Sequence, residues 1–316
     1  MSPRRIIPNT AYTLLELSLV LVILSLLAAG IIAIVTQHIR RSAMMEVTAK
    51  MDVIEAALLD FRQINARLPC PADGTLPQSS ALFGKEGIPS GNCTNTSQFG
   101  GSLGGLSDLA SDGGTDVPPS ANFVDSGFTV AGDVPTKTLG LSDDYMFDPW
   151  GGRFFYAVDR RMTAPSAFIT YPVINANTNV GIISVYDGNG NAKVTVPDAG
   201  CIYGGAIAIL MSYGPDGHGA IQYGGGVRKA VGNTNANTQT NCHCDANGAS
   251  IGGVTASSGG LCGSGPVGWS FIQAPSTSTS SSDPANFDDI VRYYTRQSFV
   301  TSTDLKLTPT DPTTTR

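Results

Sequence analysis

The feature that most constrains this chain is a long apolar run close to its N-terminus. From Leu17 to Val35 every residue is apolar or small, apart from Ser18 and Ser25. A helix needs about 20 such residues to cross the core of a bilayer. Arg4 and Arg5, ahead of the run, favour a cytoplasmic N-terminus. The sequence therefore predicts a single-pass membrane segment with the rest of the chain on the far side of the membrane.

An ordinary secretory signal peptide explains the run less well. Such a signal has an apolar region of about 7–15 residues followed by a small-residue cleavage site. Here the run is longer, and it continues into His38, Arg40 and Arg41 with no such site. The two arginines on the far side weaken the charge argument for orientation, but the length still favours an uncleaved helix.

Glu16 is the unusual residue at the leading edge of the run. A carboxylate is costly in hydrocarbon, so an acidic residue in such a segment is a functional candidate by default. The alternative is that Glu16 lies among the lipid headgroups as a solvated flank.

The residues around Glu16 favour a functional role. The stretch 11–16, which reads Ala-Tyr-Thr-Leu-Leu-Glu, resembles the processing site of type IV prepilins. The resemblance implies cleavage between Ala11 and Tyr12, N-methylation of Tyr12, and Glu16 as the fifth mature residue. It also implies that Glu16 pairs with the Tyr12 amine of a neighbouring subunit and fixes the register of a filament. The family usually has Gly before the cut and Phe or Met after it, so Ala11 and Tyr12 depart from its pattern.

Membership of this family would make the chain a structural subunit and not an enzyme. The implied function is that of a pilin or pseudopilin in a type IV pilus or a type II secretion pseudopilus, and the large loops favour a minor subunit. The implied partners are a prepilin peptidase, sibling subunits, an inner-membrane assembly platform with its ATPase, and lipid before assembly. The chain would reside in the bacterial inner membrane with a periplasmic C-terminal domain, and then in the filament. The alternative is a signal-anchored periplasmic binding or adhesion module that is neither cleaved nor polymerised.

The rest of the chain predicts an α+β fold, with one long helix packed on a small antiparallel sheet. An apolar stripe alternates with charged residues and ends before Pro69, and its members include Val35, Ile39, Val47, Ile54 and Leu58. Strands are expected at 153–158, 180–186, 192–196, 206–213 and 290–300, the second and third forming a hairpin around the turn at 187–191. We expect a leader at 1–11, a transmembrane or filament-core helix at 12–35, an amphipathic helix at 36–66, a globular domain with large loop insertions at 67–307 and a disordered tail at 308–316.

Two further motifs resemble signatures of the major pseudopilins of type II secretion. One is Asp148-Pro149-Trp150-Gly151-Gly152-Arg153, in which Arg153 replaces a proline. The other pairs Ser212-Tyr213-Gly214-Pro215-Asp216-Gly217 with the acidic stretch at 287–290. The resemblance implies calcium bound by Asp216 with Asp288 or Asp289, and Ca²⁺ does favour such oxygen ligands. About 70 residues separate the two parts here, whereas the family keeps them close. The alternative is a turn at Asp216 and a strand start or helix cap at 288–289.

Six cysteines follow the apolar run, an even number that fits an oxidising compartment: Cys70, Cys93, Cys201, Cys242, Cys244 and Cys262. A bond between Cys70 and Cys93 would close a loop after the helix, and Cys201 is a candidate partner for the later group. Zinc binding around Cys242 and Cys244 is disfavoured, because structural zinc usually takes pairs at C-x₂₋₄-C spacing.

The charge pattern argues against nucleic-acid binding. The net charge is −6 and the basic residues are scattered, so no stripe of positive charge is available for phosphates. The one match to a hydrolase motif, G-x-S-x-G around Ser102, lies in a glycine-rich loop without the strand and helix that such a motif needs.

Overall fold

The computed structural model of the protein describes residues 14–87, 93, 129–165, 167–170, 181, 183–194, 205–226, 228–242, 244, 247, 270–277 and 285–299. The side chains of residues 28–34, 36, 37, 169 and 170 are outside this description. The chain divides into two compact units, Met1–Glu46 and Val47–Arg316.

Helix α1, Leu14–Asn65, belongs to both units. In the first unit, every described side chain from residue 14 to residue 27 is exposed. In the second unit, Val47, Met51, Ile54 and Leu58 are fully buried. These four positions recur at intervals of three or four residues, so they lie along one side of the helix. The helix ends before Pro69, as the sequence predicts.

The second unit is built on a four-stranded antiparallel sheet. Its strands are β1 (Thr129–Asp133), β2 (Phe155–Asp159), β5 (Ala208–Ser212) and β7 (Ile290–Tyr294), and they lie in the order β1-β2-β5-β7. The register pairs Ala131 with Ala157, Ala157 with Ile209, and Ile209 with Tyr293. The predicted strands at 153–158 and 206–213 are confirmed as β2 and β5.

A second sheet has three strands in the order β4-β3-β6. Strands β3 (Ser184–Tyr186) and β4 (Ala192–Val194) form the predicted antiparallel hairpin, and β6 (Ser270–Ile272) runs parallel to β3. No pattern in the sequence predicts this parallel pair. Short helices α2 (Ala167–Thr170) and α3 (Ala236–Cys242) and 3₁₀ turns at Asp143–Met146, Arg160–Thr163 and Arg296–Phe299 complete the described elements.

The four-stranded sheet is buried on both faces. On one face Tyr156 and Leu210 share a core with the buried stripe of α1, and on the other Phe155 and Ile209 share a core with Phe271 of β6. Successive residues of a strand point to opposite faces, so one central sheet separates two cores. The coarse prediction of an α+β fold with a small antiparallel sheet is confirmed. The predicted last strand, 290–300, is shorter than expected, because the chain enters a 3₁₀ turn at Arg296.

Candidate functional site

The N-terminal part of α1 presents apolar side chains on all sides. The most exposed is Leu14, at 88%, and Leu15 follows at 76%. Glu16 lies in the first turn of the helix and is also exposed. Ala11 and Tyr12, the predicted cleavage and methylation positions, lie outside the described residues.

The two serine hydroxyls within this segment are bonded to the helix itself. The hydroxyl of Ser18 donates to the carbonyl oxygen of Leu15 (2.8 Å), and that of Ser25 donates to the carbonyl oxygen of Val22 (2.8 Å). A hydroxyl bonded in this way needs no other partner, so neither serine interrupts the apolar character of the surface. Among the described residues, no helix is both long enough and apolar enough to cross a membrane.

The second candidate site is the acidic cluster, defined as Asp216, Asp288 and Asp289. Asp216 follows the end of β5, and Asp288 and Asp289 precede β7. Because β5 and β7 are antiparallel neighbours with Ser212 opposite Ile290, the end of one strand lies beside the start of the other. The sheet thus brings together residues that are 72 positions apart in the sequence. The backbone amide of Asp216 donates to Oδ2 of Asp288 (3.1 Å).

The simpler roles proposed for these residues also hold. Asp216 caps a turn, since its Oδ1 accepts from the backbone amide of His218 (2.7 Å). Asp289 immediately precedes the first residue of β7. Gly214 lies between these parts at φ 65°, and a side chain there would collide with the backbone carbonyl of Asp288. Close packing of two loops therefore accounts for this glycine of the motif.

Asparagines surround the acidic cluster, and the sequence analysis did not find them. The Asn233 amide donates to Oδ2 of Asp216 (2.7 Å) and to the carbonyl oxygen of Asn286 (2.8 Å). The Asn241 amide donates to Oδ2 of Asp289 (2.9 Å). No motif marks these residues, because they lie in the long segment between the two motif parts.

Three buried oxygens of the site have no hydrogen-bond partner in the described part of the chain. They are Oδ1 of Asp288, Oδ1 of Asp289 and Oδ1 of Asn286, and the three residues are at most 6% exposed. Burial raises the pKa of the Asp288 carboxyl to about 7, and the nearby Asp216 charge adds to the rise. Burial also raises the pKa of Asp289 well above its usual value. Buried acceptors without donors, beside buried carboxyls, are the arrangement that a bound cation would stabilise.

The two family-like motifs are joined by a side-chain hydrogen bond. The Ser212 hydroxyl donates to Oδ2 of Asp148 (2.7 Å), while Oδ1 of Asp148 accepts from the backbone amides of Trp150 and Gly152. Asp148 is buried and therefore needs these donors. The aspartate and serine of the two motifs thus have a structural explanation.

One other group of side chains gathers metal-ligating atoms. Among the described residues, His218, Cys242 and Cys244 each bring one such atom within 4.8 Å of the others. However, Cys242 and Cys244 form a disulfide with each other. A metal takes the thiolate form of cysteine, so the oxidised pair does not offer its sulfurs as ligands.

The predicted disulfide between Cys70 and Cys93 is confirmed. Cys242 and Cys244 also form a disulfide, and they pair with each other. Cys201 and Cys262 lie outside the described residues, as does the motif around Ser102.

Comparison with known proteins gives no match: no family model fits the chain, and neither a curated protein nor a solved structure matches it.

Proposed function

We propose that this chain is a prepilin-like structural subunit that assembles through helix α1 into a type IV pilus or a type II secretion pseudopilus. A peptidase cut between Ala11 and Tyr12 would precede assembly. The globular domain would then cover a filament core made of apolar helices. The role is mechanical, and the chain would do no chemistry of its own.

The observation that carries the proposal is the all-round exposure of apolar side chains on residues 14–27. A helix that is apolar on every side is stable only when lipid or other protein covers it. Before assembly the inner membrane would do so, and after assembly sibling helices would.

Glu16 gives such an assembly a defined register. In a bundle of apolar helices its carboxylate would lose water, and a buried charge needs a partner of opposite sign. The new amine of Tyr12 on a neighbouring subunit would supply that charge. An open series of identical contacts of this kind builds a filament and not a closed ring.

Glutamates at two positions of α1 separate this role from general effects of charge. We expect Glu16→Ala to abolish incorporation into sheared filaments or cross-linked oligomers, because one charge of each pair would be lost. Glu46→Ala removes an exposed glutamate of the same helix and should assemble like the wild type. Equal incorporation of both variants would contradict the proposal and favour the anchored binding module.

We further propose that the acidic cluster binds calcium. Its support is a set of three buried oxygens, on Asp288, Asp289 and Asn286, for which the described residues provide no hydrogen-bond partner. Calcium takes six to eight oxygen ligands, and these include backbone carbonyls and water as well as carboxylates. The side chains of the cluster therefore need to supply only some of the ligands. The site would hold together the two loops that follow β5 and precede β7.

The calcium site is tested by comparing the stability of the wild type and of Asp288→Asn with and without Ca²⁺. In chelator, Asp288→Asn should be at least as stable as the wild type, because it removes a buried charge without a cation. In millimolar Ca²⁺ the wild type should gain several degrees in Tm and the variant should not. Asp187→Asn, which alters an exposed hairpin turn, should keep the calcium response. A wild type whose Tm ignores Ca²⁺ would exclude the site.

A further inference from the structure

A small cavity in the second unit is lined by two arginines. Arg153 and Arg228 face it together with Asp133, Tyr213 and the apolar side chain of Phe155. The volume of the cavity is about 10 Å³, counted as the space that the centre of a water molecule can occupy. That is room for one occupant of about the size of water.

Arg153 has its charge balanced within the protein. Its Nη1 donates to Oδ2 of Asp133 (2.9 Å) and to the carbonyl oxygen of Gly74 (3.1 Å). Its Nη2 donates to the carbonyl oxygens of Leu76 and Tyr223. This guanidinium is therefore paired with a carboxylate and held by three backbone oxygens.

Arg228 is not balanced in this way. Its Nη1 donates to the carbonyl oxygen of Cys242, which carries no net charge. Its Nε and Nη2 are buried and have no hydrogen-bond partner in the described part of the chain. Burial also lowers the pKa of Arg228, while the nearby Tyr213 opposes the shift. Two donors of a buried cation are thus left over beside the cavity.

The charges around the cavity do not cancel. Asp133 contributes one negative charge, which Arg153 neutralises, and Arg228 adds one positive charge with no carboxylate in an ion pair with it among the described residues. A buried charge without a counter-charge is strongly destabilising. A buried donor left unbonded adds a further penalty. Both deficits would be removed by a single anion that accepts from Nε and Nη2.

We propose that this cavity binds a small monovalent anion, of the size and charge of chloride, through Arg228. The limited space excludes phosphate esters and larger carboxylates. Asp133 also lines the cavity, and its negative charge disfavours an anion that carries more than one negative charge. The anion would stabilise the packing of the segment around Arg228 against the central sheet.

Salt exchange at constant ionic strength tests this site in the full-length chain in detergent. Replacing methanesulfonate, which is too large for the cavity, by chloride should raise the Tm of the wild type saturably by roughly 3 °C. Arg228→Met should lose this increment. Lys229→Met removes the neighbouring positive charge outside the cavity lining and should keep it.

Two outcomes would overturn the proposal: equal Tm values in the two salts for the wild type, or a chloride increment that persists in Arg228→Met. If Arg228→Met does not fold, chloride NMR on the wild type decides the question. The site would be supported if the protein broadens the chloride signal, and if added bromide reverses the broadening while added methanesulfonate does not. Its absence would mean that the cavity holds water alone.

Discussion

At the scale of single residues, the second unit depends on buried charges that have been given partners. Arg153 is the clearest case: it is 1% exposed, pairs with Asp133, and lies over the rings of Phe83 and Phe147. Cation–π contacts of this kind strengthen when water is excluded. Arg153 stands where the pseudopilin signature has proline, and it is the centre of a polar network in this chain. Asp133, the partner carboxyl, gives that network a pH dependence.

We predict that Asp133 makes the fold less stable as pH rises through about 6. Burial raises the pKa of the Asp133 carboxyl to about 6, above the 3.8 usual for an exposed aspartate, although Arg153 opposes the shift. The folded state therefore holds this proton more tightly than the unfolded chain does. The stability it contributes is complete below pH 3.8 and is lost as pH rises through about 6, by roughly 3 kcal/mol in total.

The measurement is urea unfolding between pH 3.5 and 7.5 (~0.5 unit steps) on the wild type and Asp133→Asn. The difference between the two curves should fall over this window. Asp60→Asn, at an exposed position of α1, should follow the wild type. A constant difference between wild type and Asp133→Asn would show that this carboxyl does not titrate differently on folding.

Two glycines with positive φ separate backbone strain from close packing. Gly214 (φ 65°) faces the Asp288 carbonyl. At Gly140 (φ 72°) the described residues, apart from the glycine and its chain neighbours, place no atom within 4 Å of the position that a Cβ would take. Both Ala variants pay about 1 kcal/mol for the left-handed conformation. We predict that Gly214→Ala costs about 2 kcal/mol more than Gly140→Ala, because it also overpacks the loops. Similar losses in urea unfolding would mean that the loops separate easily.

At the scale of elements, helix α1 has one sequence pattern and two environments. Around Asp52 and Glu55 it is joined to the sheet: Arg292 of β7 forms ion pairs with both, and the Tyr294 hydroxyl donates to Glu55. Such partly exposed ion pairs contribute little each. The buried side chains of the same turns, Ile54 and Leu58, therefore dominate the attachment of the helix.

We predict that Leu58→Ala lowers the free energy of unfolding by about 3 kcal/mol. Leu58 is fully buried in the core between α1 and the central sheet, so the change leaves a cavity as well as losing apolar contact. Met45→Ala is the matched control, because Met45 is 73% exposed on the same helix and should change stability by less than about 0.5 kcal/mol. If urea unfolding gave equal values for both, the helix would not be part of the cooperative core.

The sequence predicts the elements that carry a strong period or a strong turn signal. The stripe of α1 is one, although its members Val35 and Ile39 are exposed and only the part from Val47 onward is buried. The hairpin around Asp187 is another, because Asp187 accepts from the backbone amides of Asn189 and Asn191 as its turn requires.

What the sequence analysis missed depends on long-range packing. Strand β6 is three residues long and has no period to detect. Arg62 lies on the charged side of the helical pattern, yet it is buried with its guanidinium over the ring of Phe168. In the acidic cluster, Asp216 and Asp288 were expected from the resemblance, but Asn233 was not. Asn233 contacts Asp216 only because the chain folds back across the ends of the strands.

At the scale of the whole molecule, the globular unit is a small sheet that carries long segments between its strands. The segment between β5 and β7 contains α3, β6 and the Cys242–Cys244 disulfide, and it returns to the acidic cluster at its end. Such segments leave the central strands adjacent in space. This explains how motif parts that are far apart in sequence meet.

The two disulfides that lie within the described residues should differ in their effect on this unit. Cys70 and Cys93 are 23 residues apart, whereas Cys242 and Cys244 are two apart. Since a crosslink stabilises by restricting the unfolded chain, replacing Cys70 and Cys93 by serine should cost about 3 kcal/mol and replacing the other pair less than about 2. Urea unfolding of both double variants under oxidising conditions measures this. A reversed order would mean that the short loop supports more of the fold than its length implies.

The central claim is that the chain is processed and then assembled through α1, and the mass of the mature N-terminus tests it most directly. Intact mass spectrometry of the chain purified from its native membrane should give a species that begins at Tyr12 with one added methyl group. A mature N-terminus at Tyr12 would provide the amine with which Glu16 of a neighbouring subunit pairs. A chain that retains Met1 or any residue of the leader would contradict the account and identify the helix as a simple anchor.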